Sequence, residues 1–287
     1  MDQIILLGSK GGPAIRTRGP SPTSHLLVVR DRIYVVDCGL GVTRGFVDAG
    51  FHLNRLATIV ITHHHFDHNL EFGNLIHTAW TAGLATPVKV WGPTGMRRMT
   101  SAFLDLNRFD IETRIVDEGR PDLAGLIETH DYTAGPVFDD GNVRVTALRN
   151  HHPPVTDSFA LRFDFTNARG EAKSVVFGGD TTYWAELAEF ARGADVLLHE
   201  AMYGPGVDAL VARVKNGSRL KEHLIASHTV VEDAGRIASA AGVKRLVLNH
   251  LIPADDPDVR PEHWRAAIAG TWNGPLDVGQ DGLVIEI

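Results

Sequence analysis

The run Thr58-Ile59-Val60-Ile61-Thr62, followed at once by His63-His64-His65-Phe66-Asp67-His68, constrains this chain more than any other stretch. An apolar, β-branched segment reads as a buried strand, and the polar cluster begins where that strand ends. Side chains two apart on extended backbone share a face. His63 and His65 are thus set to grip one cation together, while Asp67 and His68 follow where the chain turns and point at a second position. Imidazole and carboxylate in this mixture suit zinc, which keeps a coordination position open for water when it is catalytic. On its own the segment is also compatible with a polar turn of incidental metal affinity. His64 lies between two ligands and is expected to face away from them.

The segment does not stand alone. His152, Asp180 and His250 each come after an apolar β-like run, at 143–148, 174–177 and 245–248 respectively. Ligands carried by the ends of neighbouring strands share one edge of a sheet, where a site can assemble. His151 adjoins His152, so the residues alone leave open which of the two is the ligand. Cys38 is the single cysteine, so no intrachain disulfide forms and any metal must rely on His and carboxylates.

Residues 2–7 read as a strand and Gly8 to Pro22 as a Gly- and Pro-rich loop. His25–Val29 and Arg32–Val36 form a hairpin around Arg30-Asp31. A short helix near 43–49 precedes the strand at 58–62, Asn69–Ala82 is a further helix, and the strand at 88–91 stops at Gly92-Pro93. Residues 95–138 read as a mostly helical cap, and 203–224 as a second segment flanking the site; both are expected to act as lids. Strands return at 143–148, 158–165 and 174–177, with short buried ones at 195–198 and 245–248 and an edge strand at 283–287. Strands in two batches, each followed by helices, predict one α/β domain over 1–287: a four-layer αββα sandwich of two mixed β-sheets flanked by helices.

The formal charge is −7, and an acidic surface disfavours a polyanionic substrate. No apolar run approaches the roughly 20 residues that span a bilayer, and Ile4–Leu7 is too short for a signal-peptide core. The expectation is a cytoplasmic protein without a membrane partner. No feature decides the oligomeric state; a homodimer is common among soluble enzymes.

The pattern Thr62 to His68, then His152, then Gly178-Gly179-Asp180-Thr181, then Asn249-His250, resembles the metallo-β-lactamase fold superfamily. Leu7 to Pro13 and Val36-Asp37-Cys38-Gly39 fit its opening. Trp91-Gly92-Pro93-Thr94-Gly95, Leu198-His199-Glu200-Ala201 and Ser227-His228-Thr229 fit the branch that holds ribonuclease Z and related phosphodiesterases and arylsulfatases. The resemblance implies that His63, His65 and His152 bind a first metal and Asp67, His68 and His250 a second, with Asp180 and a hydroxide bridging them. It selects His152 over His151 by the spacing to Phe159. It implies two Zn2+ per chain, with Mn2+ as the alternative. It also places Asp67, His228 and Glu200 in the chemistry, His228 as proton donor or anchor for the ester's charged oxygen and Glu200 as its hydrogen-bonding partner.

Asp37 is either an orienting partner of a ligand imidazole or a plain turn aspartate. His25, His52, His77, His130, His223 and His263 read as surface or packing residues, and His199 as a structural hydrogen-bonding group. Phe66, Phe109, Tyr132, Trp184 and Tyr203 are candidates for the mouth of the site, although each type is more often core.

The functional expectation is a dinuclear hydrolase that cleaves a small-molecule ester (a phosphodiester, an aryl sulfate or a lactone-like ester) by hydroxide attack. The alternatives are a ribonuclease Z-type endonuclease that trims tRNA 3′ ends, and a non-catalytic metal-dependent sensor. His152 and Asp180 stand 28 positions apart, too few for the tRNA-gripping arm that the bacterial ribonuclease Z resemblance would place there. With the negative charge, this makes nucleic acid the disfavoured partner and a small molecule the favoured one.

Overall fold

The computed structural model describes residues 2–287. Its first strands are apolar runs buried almost throughout. β1 (Gln3–Gly8), β2 (Ser24–Val29) and β3 (Arg32–Cys38) form an antiparallel meander, the tight turn between β2 and β3 carrying positive φ at Arg30 and Asp31 (47° and 65°). β4 (Thr58–Val60), β5 (Val88–Pro93) and β6 (Ile127–Tyr132) add to β3 in parallel, and β14 (Val284–Glu286) closes the other edge against β1. The second sheet runs β7 (Gly135–Asp139), β8 (Val143–Arg149), β9 (Phe159–Thr166), β10 (Ala172–Phe177), β11 (Val196–Met202), β12 (Leu246–Ile252) and β13 (Leu276–Val278) in spatial order. Two seven-stranded mixed sheets result, as expected.

The two sheets pack face to face through Ile4, Leu6, Val36 and Val60 on one side and Phe163, Val175, Phe177 and Leu198 on the other. Alternate residues of the same strands face outward. Ile5, Leu7, Val35 and Ile59 meet Val42 and Phe46 of α1 (Val42–Asp48) and Phe72, Leu75 and Trp80 of α3 (Phe72–Thr81). Beyond the second sheet, Val176, Leu197 and Leu248 meet α6 (Ala185–Phe190), α9 (Val231–Ala241) and α10 (Pro261–Ile268). Burial of both faces of each sheet explains why the strands read as apolar runs.

Two expectations change. The helix expected over 69–82 is split: α2 (Phe66–Asn69) is a single turn that begins inside the histidine run, and α3 follows it. The stretch 95–138 is helical only in its first part, α4 (Met96–Leu106) and α5 (Arg108–Glu118). Its second part supplies β6 and β7, the edge strands of the two sheets. Their mixed Thr, His, Asp and Pro content hid the period-two pattern, because each edge strand is only partly buried. The other flanking segment folds as α7 (Gly204–Arg213) and α8 (Leu220–Ser227).

Candidate metal centre

β4 ends at Val60, and the extended turn His63 to His65 carries the chain to α2, whose first turn presents Asp67 and His68. The loop after β8 delivers His152, the turn after β10 delivers Asp180, and β12 delivers His250. These elements open on the same edge of the sandwich, which brings together all seven residues expected as metal ligands. Ligand atoms of His63, His65, His152 and Asp180 lie within 4.8 Å of one another, as do those of Asp67, His68 and His250. Asp180 stands between the groups: its Oδ2 is 3.7 Å from His63 Nε2 and 3.9 Å from His152 Nε2, but also 3.4 Å from His68 Nε2 and 3.2 Å from His250 Nε2.

Two backbone devices aim these side chains. Register between β11 and β12 slips after Glu200↔Asn249, so that His250 is the extra residue of a bulge, with φ at +44°. A bulge re-aims one side chain at a strand end, and here it turns His250 into the cluster. Gly179, at φ +61°, precedes Asp180, and a β-carbon there would lie 2.5 Å from the Phe159 carbonyl oxygen; only glycine fits that turn.

The hydrogen bonds behind the cluster leave ring nitrogens free to ligate. His152 Nδ1 donates to the Ser227 carbonyl at 2.8 Å, which turns Nε2 inward as a lone-pair donor. Asp37 orients the His68 ring rather than serving only as a turn residue: its Oδ2 accepts from His68 Nδ1 at 2.7 Å, and Oδ1 accepts from the Thr62 amide at 2.8 Å. His68 Nε2 and Asp180 Oδ1 are then buried without a partner. Orphaned buried polar atoms are costly, and a cation at their convergence would satisfy them. The cluster is therefore compatible with a dinuclear metal site. Burial, its largest cause, pushes His152 down to about 4 and holds His63 well below the usual imidazole range, so both are neutral and able to ligate at pH 7.

Beside this cluster, Glu200 Oε2 lies 2.8 Å from His228 Nδ1, and Glu200 Oε1 accepts from the Thr181 amide at 2.6 Å. Burial, followed by the Asp180 charge, raises the Glu200 carboxyl well above its ordinary range, and burial lowers His228. His151, by contrast, is exposed and stacks on Trp184 with ring centroids 5.7 Å apart; the structure brings His152 to the cluster, not His151. His64 faces away, its Nε2 donating to the Pro93 and Thr94 carbonyls at 3.3 and 3.2 Å.

The packing readings hold for most other histidines. His25 is buried on Phe177, and His199 Nδ1 donates to the Glu200 carbonyl at 2.7 Å. His223 differs: its ring centroid is 5.7 Å from that of His228 and 6.3 Å from that of His65. The signal was its place one helical turn before Ser227, whose hydroxyl lies 3.2 Å from His223 Nδ1. Of the aromatics proposed for the mouth, Phe66 is 58 % exposed within the ligand run, whereas Tyr132 is buried with its hydroxyl on the Ile61 carbonyl. Phe109 is exposed on α5.

Residues 32–251 match the family model described as a beta-lactamase superfamily domain, and the chain belongs to this superfamily, with the metallo-β-lactamase fold. The fold is shared with a metallo-β-lactamase fold protein of Bacillus subtilis (TM-score 0.70, 20 % identity, 99 % of this chain and 98 % of that one) and with the human short-form tRNase Z (TM-score 0.71, 20 % identity, 100 % and 99 %). Among curated sequences, a protein named ribonuclease Z from Mycobacterium bovis is 32 % identical over 100 % of this chain and 99 % of its own length. One from Mycobacterium avium is 31 % identical over 98 % and 96 %.

These relatives overturn two expectations, the small-molecule ester as substrate and nucleic acid as the disfavoured partner. Both rested on measures that do not discriminate. The Mycobacterium bovis protein aligns over 290 residues and 99 % of its length, so it too has no room for a long inserted arm. Net charge is a sum over the whole surface. Residues 209–221 contain Arg213, Lys215, Arg219 and Lys221 with no acidic residue, and they lead directly into His223 and His228. Arg213 pairs with Asp255 and Asp256, Arg219 with Glu222 and Lys221 with Asp208, so this is a locally mixed-charge surface that the net charge does not describe. Among the described residues no helix is long and apolar enough to cross a membrane.

Proposed function

We propose that this chain is a metal-dependent ribonuclease of the ribonuclease Z type, hydrolysing a phosphodiester at the 3′ end of precursor tRNA. The observation that carries the reading is the end-to-end match to proteins of that name at 30–32 % identity, on a chain whose clustered ligands retain the geometry such hydrolysis needs. His63, His65 and His152 would hold one cation, Asp67, His68 and His250 the other, and Asp180 both. The all-His and carboxylate donor set suits zinc, with manganese next. When bound, two such ions supply Lewis-acid charge and an activated water for in-line displacement at phosphorus.

The chain's own groups do the rest. Asp37, Thr62 and the Ser227 carbonyl fix ligand rings in place. Gly12 N–H donates to Asp67 Oδ2 at 2.7 Å, which ties the loop after β1 to the second group. His228, held by Glu200, faces the cluster from α8's end and is positioned to steady the phosphoryl oxygen or to protonate the departing 3′ oxygen. The flanking segments 95–138 and 203–224 would frame the approach of the RNA.

The test is cleavage of a precursor tRNA carrying a 3′ trailer by protein loaded with zinc or manganese, before and after chelation. A single endonucleolytic cut that chelation abolishes and either metal restores is the expected result. Intact RNA under conditions where the protein holds two metal equivalents would overturn the reading.

A further inference from the structure

Large apolar side chains left in water are worth locating; the most exposed, Leu106, Phe109 and Val116, lie on α4 and α5, and four others lie on segments that carry cluster residues. Phe66 is 58 % exposed, Tyr183 50 %, Ile225 59 % and Ile15 60 %. Each sits on a segment that builds the metal centre. Phe66 lies between His65 and Asp67. Tyr183 is in the turn that follows Asp180, and Ile225 is on α8 just before His228. Ile15 belongs to the loop whose Gly12 amide holds Asp67. None of the catalytic roles described above uses any of the four.

Phe66 is the clearest case. It opens α2, so its neighbours on both sides turn inward to the cluster while its ring turns out. No aromatic ring of the described residues packs against it or against Tyr183, whereas Trp184, beside Tyr183, is already stacked on His151. The Phe66 Cα is held between His65 and Asp67, so the ring swings only about its own side-chain torsions. It is an exposed π-face without an aromatic partner, one residue from His65 and Asp67 of the cluster.

We infer that Phe66 and Tyr183 form a nucleobase subsite, on which unpaired bases flanking the scissile phosphodiester stack while the phosphate enters the cluster. This rests on the ribonuclease reading. The occupant follows from position: whatever places a phosphodiester at Asp180 must carry its adjoining substituents past these rings, and in RNA those are bases with exposed faces. Stacking on aromatic rings tolerates any base sequence and needs no hydrogen-bonding groups, which matches exposed Phe and Tyr rings at these positions.

The experiment is a cycle of binding and single-turnover cleavage with a trailer-bearing RNA and with abasic substitutions one and two nucleotides on either side of the cut. Phe66→Ala should weaken RNA binding about 5- to 100-fold, with bound metal unchanged and the same factor at low and high salt, because stacking releases no counterions. An abasic nucleotide at the contacted position should bring wild type down to the variant and leave the variant unaffected. Phe66→Trp should restore binding. A Phe66→Ala penalty that persists in full on every abasic RNA overturns the subsite while leaving the ribonuclease reading intact. A changed association state without an effect on RNA also overturns it, assigning the two rings to a protein contact. If wild type neither binds nor cuts RNA, the subsite falls together with the reading beneath it.

Discussion

His228 and Glu200 meet through a 2.8 Å Nδ1–Oε2 contact with both side chains nearly sealed from solvent. The pair spans two elements: Glu200 is fixed in β11 by the Thr181 amide, and His228 caps α8. The imidazole is therefore held with Nε2 turned away from the carboxyl. His228→Ala should lower the single-turnover cleavage rate about 10²- to 10⁴-fold, the range for a positioned proton donor, with both metal equivalents retained. Glu200→Gln keeps a hydrogen-bonding partner and should cost less than Glu200→Ala. Equal losses for the two Glu200 variants would remove its orienting role.

Asp180 Oδ2 touches both halves of the cluster, whereas His63 and His68 each belong to one. Asp180→Ala should release both cations on dialysis, while His63→Ala and His68→Ala should each weaken one. Metal content by elemental analysis decides this. Two equivalents remaining in Asp180→Ala would mean that the carboxylate is not shared.

Acid should destabilise the metal-free protein within a defined window. Burial pushes both His25 and His199 down to about 4 from an ordinary value of 6.5. Between those values the unfolded chain binds protons that the folded chain refuses, so stability is present above pH 6.5 and is lost as the pH falls towards 4. Each group contributes about 1.4 kcal/mol per pH unit there. His25 accepts from Asn249 Nδ2 at 2.6 Å and donates to the Val36 carbonyl, so protonation sets N–H against N–H. Urea melts at pH 7 and pH 5 should show His25→Gln losing less stability than wild type over this interval. An unchanged slope would show that His25 is not the titrating group.

Gly11 offers a more local test. A β-carbon there would lie 2.7 Å from the His250 ring and 2.7 Å from Ile252, closer than packed atoms approach. Because His250 already occupies a strained positive-φ position, Gly11→Ala should displace it. The expected result is cleavage reduced at least about tenfold, in line with the sensitivity of catalysis to ~1 Å misplacements, and weaker binding of one metal rather than both. Wild-type kinetics in this variant would show that the loop after β1 yields freely.

Much of this was legible in the sequence. Thr58–Thr62 running into the histidine cluster, and the apolar runs before His152, Asp180 and His250, disclosed the strands, the shared edge and which residues come together there, because buried strands leave strict local patterns. β6 and β7 escaped because edge strands need no such pattern. His223 escaped because its place near His65 and His228 depends on how α8 packs, and the single local cue was its spacing to Ser227. The substrate was misjudged for a different reason. The net charge is a sum over the whole surface, and the short interval from His152 to Asp180 does not set this chain apart from a relative that aligns over 99 % of its own length.

Ser9, at the start of the loop after β1, donates through both its amide and its hydroxyl to Asp281, at 3.0 and 2.8 Å, and Asp281 also accepts from the Ser21 amide. The loop after β1 is thus moored by a residue made some 270 positions later. His250, too, reaches its place only after β12 has paired beside β11. On the ribosome, then, the growing chain carries its first four ligands long before it can use them. A chain released early would have the histidine run but neither His250 nor the Asp281 anchor of the loop beside it.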